Sequence, residues 1–330
     1  MAVQDEGQQA LLRVLADGRF HSGPALGATL GLGRGAVWKR IAKLTDYGID
    51  IDRVRGRGYR LSAPLDLLDA DRLRQAMGTG VAERLACLAV LPVVDSTSRW
   101  MAERAAGFQQ GEAGTCLAEC QTAGRGRRGR AWISPFGANL YLSVGWHLRD
   151  LPPDVGALSL AAGLAAADAL EQCGFGGIGI KWPNDMVHDG RKLGGILVDL
   201  QGQPGGACRL VIGVGINVAM PTAAGAAIDQ SWVDLKTIGP VAAGLRNRLA
   251  GRLIARLLQA VAHYSEQGFT PFADEWRRRD AVAGRAVDVL LADRKVAGTA
   301  LGVDAQGALR LQTDAGVQRY FSGEVSLRAR

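Results

Sequence analysis

The heptapeptide GRGRRGR, which begins at Gly124, alternates glycine with arginine in a way that suits anion binding. Gly124, Gly126 and Gly129 also satisfy the GxGxxG spacing of dinucleotide-binding loops, but that pattern needs a helix to open at its last glycine. Here Pro135 and Gly137 follow and interrupt any early helix. The sequence context therefore argues against a dinucleotide-binding loop.

The same residues have the means to bind phosphate or carboxylate groups. The glycines let the backbone turn tightly and present N–H groups inward, while Arg125, Arg127, Arg128 and Arg130 add forked guanidinium donors. Because these like charges repel one another, we expect the loop to be mobile until an anion orders it. The alternative is a solvated basic patch for nucleic acid.

A second motif, IKWPNDM, places Lys181 at the end of an apolar strand and before a rigid Trp-Pro turn. Its ammonium group is a candidate point charge for a phosphate or carboxylate, although a lysine there could also be an ordinary surface residue. Asn184 and Asp185 follow at positions suited to a magnesium ion or ribose hydroxyls, and both are also common turn residues.

The residues indicate binding and charge stabilisation, and they offer no nucleophile or general base. The 4 histidines are scattered, and the 5 cysteines form no metal or disulfide pattern, so we predict no protein metal site. This chemistry suits phosphoryl or nucleotidyl transfer. The sequence thus predicts a nucleotide-handling site with a closing loop, and leaves the second substrate open.

Residues 1–62 are predicted to form a winged helix. Helical spacing of Val37, Ile41 and Leu44 follows a short GLG turn, and IDIDRVRGRGYRL then reads as a two-stranded wing. This segment carries ten Lys/Arg against six Asp/Glu, within a chain of net charge +7. We expect it to bind DNA, a protein-binding winged helix being the alternative. With Val37, Ile41 and Leu44 inward, Lys39, Arg40 and Lys43 should project outward. The candidate DNA-contacting residues are Arg34, Lys39, Arg40, Lys43, Arg55 and Arg57.

Two further domains are predicted after a linker at about 62–70. Residues 70–270 read as α/β with a mixed sheet, because a loop containing Asp189-Gly190 joins the predicted strands GIGIKW and KLGGILVDL as a hairpin. The apolar strand RLVIGVGINV suits a central position. Residues 277–330 read as a small β-barrel. No run is long enough to cross a membrane and no secretory signal is evident, so we expect a cytoplasmic, non-membrane protein.

Taken together, the motifs resemble the bifunctional biotin protein ligases that repress the biotin operon. The resemblance runs from end to end of the chain, and the arginine loop paired with KWPNDM is its most specific part. The other matching segments are DSTS at 95–98, RKLGGILVD at 191–199, GVGIN at 213–217 and GEVSLR at 323–328.

This resemblance implies an α+β fold with an N-terminal winged helix-turn-helix, a central mixed-sheet domain like a class II synthetase, and an SH3-like C-terminal barrel. It implies that biotin and ATP, with Mg²⁺, give biotinyl-5′-AMP, and that biotin then passes to a lysine of a biotin carboxyl carrier protein. It also implies that the adenylate is a co-repressor that promotes a homodimer on operator DNA.

The resemblance also implies the residues of the site. Lys181 and Arg127 would act in catalysis, and Asn217 and Trp232 would lie on or beside the segment that closes over adenine. The residues expected to bind biotin and adenylate are Ser96, Thr97, Ser98, Gln121, Gly124, Arg125, Gly126, Arg127, Arg128, Lys181, Gly194, Gly195, Asn217 and Trp232.

Two positions depart from the family's pattern. The family usually has Asn after Ser-Thr, whereas here Ser98 follows Ser96-Thr97 and is itself followed by Arg99. Gly33 stands where the family often has a Ser or Thr cap before the recognition helix. The first departure predicts a polar contact near biotin that is shorter or lost, and the second leaves the DNA sequence preference open. A ligase without repressor activity, a non-catalytic biotin sensor and a lipoate ligase are the alternatives.

Overall fold

A computed structural model describes residues 6–149, 155–202, 207–291, 294–322 and 326–329. Three units follow one another in it: a small helical unit with a hairpin, a seven-stranded central sheet with its helices, and a five-stranded C-terminal sheet. This is the predicted α+β fold, and the three predicted elements of the fold class are confirmed.

The N-terminal unit has the helices and wing predicted from the sequence. Its elements are α1 (Glu6–Leu15), α2 (Gly23–Leu30), α3 (Arg34–Asp46), β1 (Ile51–Val54) and β2 (Gly58–Leu61). Ser22 caps α2 by accepting a hydrogen bond from the N–H of Ala25, whereas Gly33 precedes α3 without a side-chain cap. Val37, Ile41 and Leu44 bury one face of α3, as their spacing predicts.

The linker after this unit is fastened to the central domain by buried polar groups. Glu119 accepts a hydrogen bond from the N–H of Leu68 at 2.6 Å and pairs with Arg246, whose Nη2 lies 2.7 Å from Glu119 Oε2. Arg246 also donates to the carbonyl of Asp66, and Asn247 donates to that of Leu67. Both charged side chains are almost fully buried, so the linker is held by fixed geometry.

The central sheet is mixed, as predicted, and lies between helices. Two short helices, α4 (Ala70–Met77) and α5 (Thr79–Ala82), precede it. Its strands are β3 (Leu85–Val94), β4 (Ala113–Gln121), β5 (Leu140–Leu148), β6 (Gly179–Lys181), β7 (Asp185–His188), β8 (Arg191–Gly202) and β9 (Cys208–Ile216). Their order is β3-β4-β5-β9-β8-β7-β6, and only β3 and β4 are parallel. The apolar β9 is central, as its sequence predicts.

The hairpin prediction needs one correction. Asp189 and Gly190 form the turn, with φ values of 49° and 74°, but the strand before them is β7 rather than β6. β6 pairs with β7 through a separate tight turn at Pro183 and Asn184. The sequence does not predict β7 as a separate strand because WPND is typical of a loop, whereas DMVH at 185–188 is extended.

The remaining helices cover the sheet. They are α6 (Thr97–Ala105), α7 (Leu158–Glu171), α8 (Thr222–Gly225), α9 (Leu235–Ile238), α10 (Leu245–Gln267) and α11 (Ala273–Arg279). The Ala-rich α7 is buried on nearly all sides. Among the helices that the structure describes, none is both long and apolar enough to cross a bilayer.

The C-terminal unit is an antiparallel, SH3-like sheet. Its strands are β10 (Ala286–Leu290), β11 (Lys295–Val303), β12 (Leu309–Thr313), β13 (Gly316–Tyr320) and β14 (Ser326–Ala329), in the order β13-β12-β11-β10-β14. It packs directly on the central domain, where Trp182 donates from Nε1 to the carbonyl of Gly307 at 3.2 Å. Residues 323–325 of the GEVSLR motif lie outside the described residues.

Candidate active site

A chain of hydrogen bonds forms one wall of a cavity above the central sheet. Ser143 donates to Thr97 Oγ1 at 2.8 Å, and Thr97 Oγ1 donates to Gln121 Oε1 at 3.1 Å. Because the Ser143 proton is already used, Ser98 donates to Ser143 Oγ at 3.0 Å. Ser98 and Thr97 begin α6, while Gln121 ends β4, so helix and strand hold these neutral donors and acceptors in place.

Glycines keep the sheet surface beneath the cavity open. A Cβ on Gly213 would lie 2.5 Å from Ser98 Oγ, and one on Gly215 would lie 2.4 Å from the Trp132 ring. Gly195 also lines the cavity. Gly194 does not, because it faces the neighbouring strand, where a Cβ would meet the Gly215 carbonyl at 2.6 Å. The LGG and GVG segments therefore make room for a flat indole and a ligand.

The arginine loop is folded as a small hairpin beside this cavity. The N–H of Gly126 donates to the carbonyl of Arg130 at 2.7 Å, and Arg125 forms an antiparallel bridge with Ala131. A 3₁₀ turn covers Arg127–Gly129, with Arg128 in the left-handed region at φ 57°. The turn aims Arg128 and its neighbours at the cavity mouth, and the predicted mobility of the empty loop stays a prediction.

Arg127 joins three parts of the molecule. Its Nη1 donates to Asn184 Oδ1 at 3.2 Å, and its Nη2 donates to the carbonyl of Ser322 in the C-terminal unit. Burial lowers the pKa of the Arg127 guanidinium; attraction by Asp185 opposes this shift, and repulsion by Arg128 and Arg130 adds to it. An anion in the cavity would relieve that destabilisation of the charged form.

The KWPNDM segment contributes polar groups to the cavity, but Lys181 is not among the lining residues. Asn184 and Asp185 line it, and Asp185 Oδ1 lies 2.7 Å from Nζ of Lys192. Lys181 ends β6 with its backbone opposite Asp185, outside the lining residues. Lys192 was not predicted from the sequence, although the RKLGG motif contained it.

A second cavity adjoins the first and contains the predicted adenine-side residues. Both cavities are lined by Arg130, Trp132 and Lys192, and the second is also lined by Asn217 and Trp232. Trp232 packs on Gly225 and donates to its carbonyl at 3.2 Å, which fixes the ring as one wall. The buried Nε1 of Trp132 has no hydrogen-bond acceptor among the described residues.

The structure brings most of the sequence-predicted residues together. Those that line the first cavity, of about 120 Å³, are Ser96, Thr97, Ser98, Gln121, Arg125, Gly126, Arg127, Arg128 and Gly195. Gly124 lines the neighbouring groove on the outer side of the loop. Residues that sequence reasoning missed as part of the site are Trp132, Lys192, Gly213, Gly215 and Gln230. The glycines of the GVGIN motif could have indicated two of these residues, Gly213 and Gly215, because they leave the sheet surface without side chains.

The basic face of the winged helix differs from prediction at one position. Arg34, Lys39, Arg55 and Arg57 are exposed, and Lys43 is half-buried. The expectation that Arg40 projects outward is wrong: its side chain packs against α1, where a Cβ on Gly7 would lie 2.5 Å from Nη2. Arg40 lies against α1, and Gln8 of that helix donates from Nε2 to the Arg40 carbonyl at 2.9 Å.

Comparison with known proteins gives the same three-part division. Residues 8–60 match a helix-turn-helix domain model, residues 90–217 match the biotin/lipoate A/B protein ligase family, and residues 282–328 match the biotin protein ligase C-terminal domain. A mixed-sheet ligase domain that carries a helix-turn-helix is thus the class of protein that the fold and the cavity define.

Two curated relatives span almost the whole chain. The bifunctional ligase/repressor BirA of Salmonella typhimurium is 43% identical over 97% of this chain and 97% of its own, and that of Escherichia coli is 41% identical over 97% and 96%. The solved biotin protein ligase from Aquifex aeolicus in complex with biotin and ATP shares 28% identity and a TM-score of 0.62, covering 74% of this chain and 100% of its own. The chain belongs to the family of bifunctional biotin ligase/repressors, as its motifs predict.

Proposed function

We propose that this protein activates biotin with ATP to give biotinyl-5′-AMP and pyrophosphate, and then transfers biotin to a lysine of a biotin carboxyl carrier protein. One observation carries the proposal: the arginine loop is tied by Arg127 to the KWPNDM segment and to the C-terminal unit, at the mouth of a cavity with a neutral polar wall. The family's bifunctional relatives and the biotin- and ATP-bound ligase of known structure support it.

The two sides of the cavity suit the two ends of biotin. The wall of Ser98, Thr97 and Gln121 offers uncharged donors and acceptors, which fit the uncharged ureido ring. Arg125, Arg127 and Arg128 line the other side and fit the carboxylate and the phosphates of ATP. Trp232, Asn217 and Trp132 line the adjoining space, in which the adenine ring would stack.

The chemistry needs positioning and charge stabilisation. A biotin carboxylate oxygen attacks the α-phosphorus and pyrophosphate leaves; the ε-amine of the acceptor lysine then attacks the acyl carbon, AMP leaves, and the amine loses a proton to solvent. Since the carboxylate is itself the nucleophile, the first step needs no protein base, and no His or Cys occurs among the described lining residues. The proposed role of Lys181 is to balance charge on the carboxylate and α-phosphate.

Magnesium would enter with ATP. No cluster of three or more acidic, His or Cys side chains occurs in the described part of the chain, which fits an ion held mainly by phosphate oxygens. Asp185 is the one carboxylate among the described residues lining the first cavity, and it would supply the protein's contribution beside Asn184. The bound ion would neutralise phosphate charge.

We further propose that the winged helix represses transcription, with the adenylate as co-repressor. The exposed Arg34, Lys39, Arg55 and Arg57 form a basic face suited to operator DNA. A loop ordered by the adenylate can become part of a homodimer interface that the empty protein lacks, and a carrier protein would compete for that surface. Sedimentation with and without biotin and ATP tests the dimer.

Pyrophosphate exchange tests the enzyme. Radiolabel should pass from pyrophosphate into ATP only when biotin is present, and Lys181→Ala should slow the exchange strongly while DNA binding without ligand is unchanged. Exchange driven by lipoate instead would identify a lipoate ligase. No exchange in folded protein that binds biotin would identify a biotin sensor and refute the proposal.

A further inference from the structure

Trp38, in the middle of α3, stands out from the surface of the N-terminal unit. More than half of its side chain, 54%, is exposed, which is unusual for tryptophan. The cation–ring contacts in the described part of the chain do not include Trp38, although they occupy Phe20 and Tyr59 of the same unit. Its indole faces are therefore available to a partner.

The neighbouring residues isolate the indole on the outer face of α3. Gly35 lies one turn before Trp38, and a Cβ there would meet nothing within 4 Å. Ala42 lies one turn after it and adds only a methyl group. Val37, Ile41 and Leu44 bury the adjoining face of the helix in the core, so α3 cannot rotate to bury Trp38 without exposing them.

Exposed cationic side chains lie on the same helix as this apolar side chain and on the wing of the same unit. Arg34 and Lys39 are exposed on the same helix, and the wing adds the exposed Arg55 and Arg57. An apolar protein surface would not favour these exposed cations, whereas a nucleic-acid backbone would. The charges therefore select a polyanion as the partner of this face.

We infer that Trp38 reads DNA sequence by packing on thymine C5-methyl groups in the major groove. The second helix of a helix-turn-helix enters that groove, and the C5-methyl of thymine is its distinctive apolar feature. The flanking Gly35 and Ala42 leave room for base edges to approach the ring. This inference rests on the proposed DNA binding and assigns a residue that would set its specificity.

The test uses the full-length protein with biotin, ATP and Mg²⁺. A duplex is selected from a random-sequence pool and resynthesised with deoxyuridine in place of each thymine in turn, which removes only a methyl group. Loss of one buried methyl should weaken wild-type binding roughly fourfold at one or two thymines. Trp38→Ala should bind the thymine and uracil duplexes equally, and Trp38→Phe should keep part of the difference.

Lys39→Ala is the matched control, because Lys39 is the exposed neighbour of Trp38 on α3. It should weaken binding to thymine and uracil duplexes by the same factor and reduce the salt slope by about one. Far-UV circular dichroism of each variant checks that α3 stays folded.

The outcomes separate this inference from the proposed function. Failure to select any duplex would refute the DNA-binding function itself. A selected duplex whose thymines all tolerate uracil, or a Trp38→Ala protein that keeps the uracil penalty, would overturn the role of Trp38 alone. A Trp38→Ala protein that dimerises poorly but keeps the penalty would show that the indole contacts protein.

Discussion

Arg127 of the arginine loop contacts two parts of the molecule that are distant in sequence. It reaches Asn184 beside the cavity and the Ser322 carbonyl in the C-terminal unit, whereas Arg125 pairs with Asp199 on the outer side of the loop at 3.2 Å. The sequence of the loop contains four arginines and does not distinguish their roles. Their different roles arise from long-range packing, which spacing within the loop cannot reveal.

We predict that Arg127→Gly still forms adenylate but lets it escape. The variant loses both contacts that hold the loop across the cavity mouth, so the reactive anhydride is less shielded from bulk amines. Bystander proteins incubated with the variant, biotin and ATP should gain biotin, detected by streptavidin blotting. Arg127→Lys is the control. It keeps the positive charge but not the forked guanidinium donors, and it should release less adenylate than Arg127→Gly. Wild-type labelling by Arg127→Gly would contradict this.

We predict that Thr97→Val weakens biotin binding with little effect on fold. The substitution keeps the shape but breaks the link from Ser143 to Gln121, leaving the buried Ser143 hydroxyl without its acceptor. The donors and acceptors of this wall then lose their fixed orientation toward biotin, so KM for biotin should rise about tenfold, or ~1.4 kcal/mol of binding free energy, while kcat changes less. A large fall in kcat together with a lower unfolding temperature would indicate structural damage instead.

Helix and strand ends place several of the groups that line the cavity, and the sequence predicted several of these elements well. The apolar β9 and the helical spacing in α3 depend on local pattern, so they could be predicted directly from the sequence. The separate strand β7 and the inward turn of Arg40 depend on neighbours distant in sequence. The position of Lys181 outside the cavity lining likewise depends on residues distant in sequence.

The linker and α10 depend on one buried ion pair. We predict that Arg246→Met lowers the free energy of unfolding by about 3–5 kcal/mol, because Glu119 would remain buried without its partner. The double variant Glu119→Gln/Arg246→Met should recover part of that loss, since no unpaired charge remains. Chemical denaturation followed by tryptophan fluorescence measures both, and a double variant less stable than Arg246→Met would contradict the argument.

The winged helix and the ligase domain share a core. Phe136, from the segment between the arginine loop and β5, belongs to the same hydrophobic cluster as Leu11, Leu15 and Ile41 of the N-terminal unit. The same segment begins at Trp132 in the cavity wall. A segment of only a few residues thus links the cavity wall at Trp132 to the core that Phe136 shares with the proposed DNA-binding unit. The sequence analysis treated these two domains as separate.

We predict that Phe136→Ala changes both functions at once. Truncating a buried phenylalanine costs about 3–5 kcal/mol, and here the lost packing lies between the two domains. Hydrogen exchange in α1 and α3 should accelerate, and biotinyl-5′-AMP should dissociate faster because the segment carrying Trp132 is less firmly held. Trp38→Ala, which is exposed on the same unit, is the control and should leave adenylate dissociation unchanged. Faster exchange with an unchanged dissociation rate would show that the shared core joins the domains without coupling their sites.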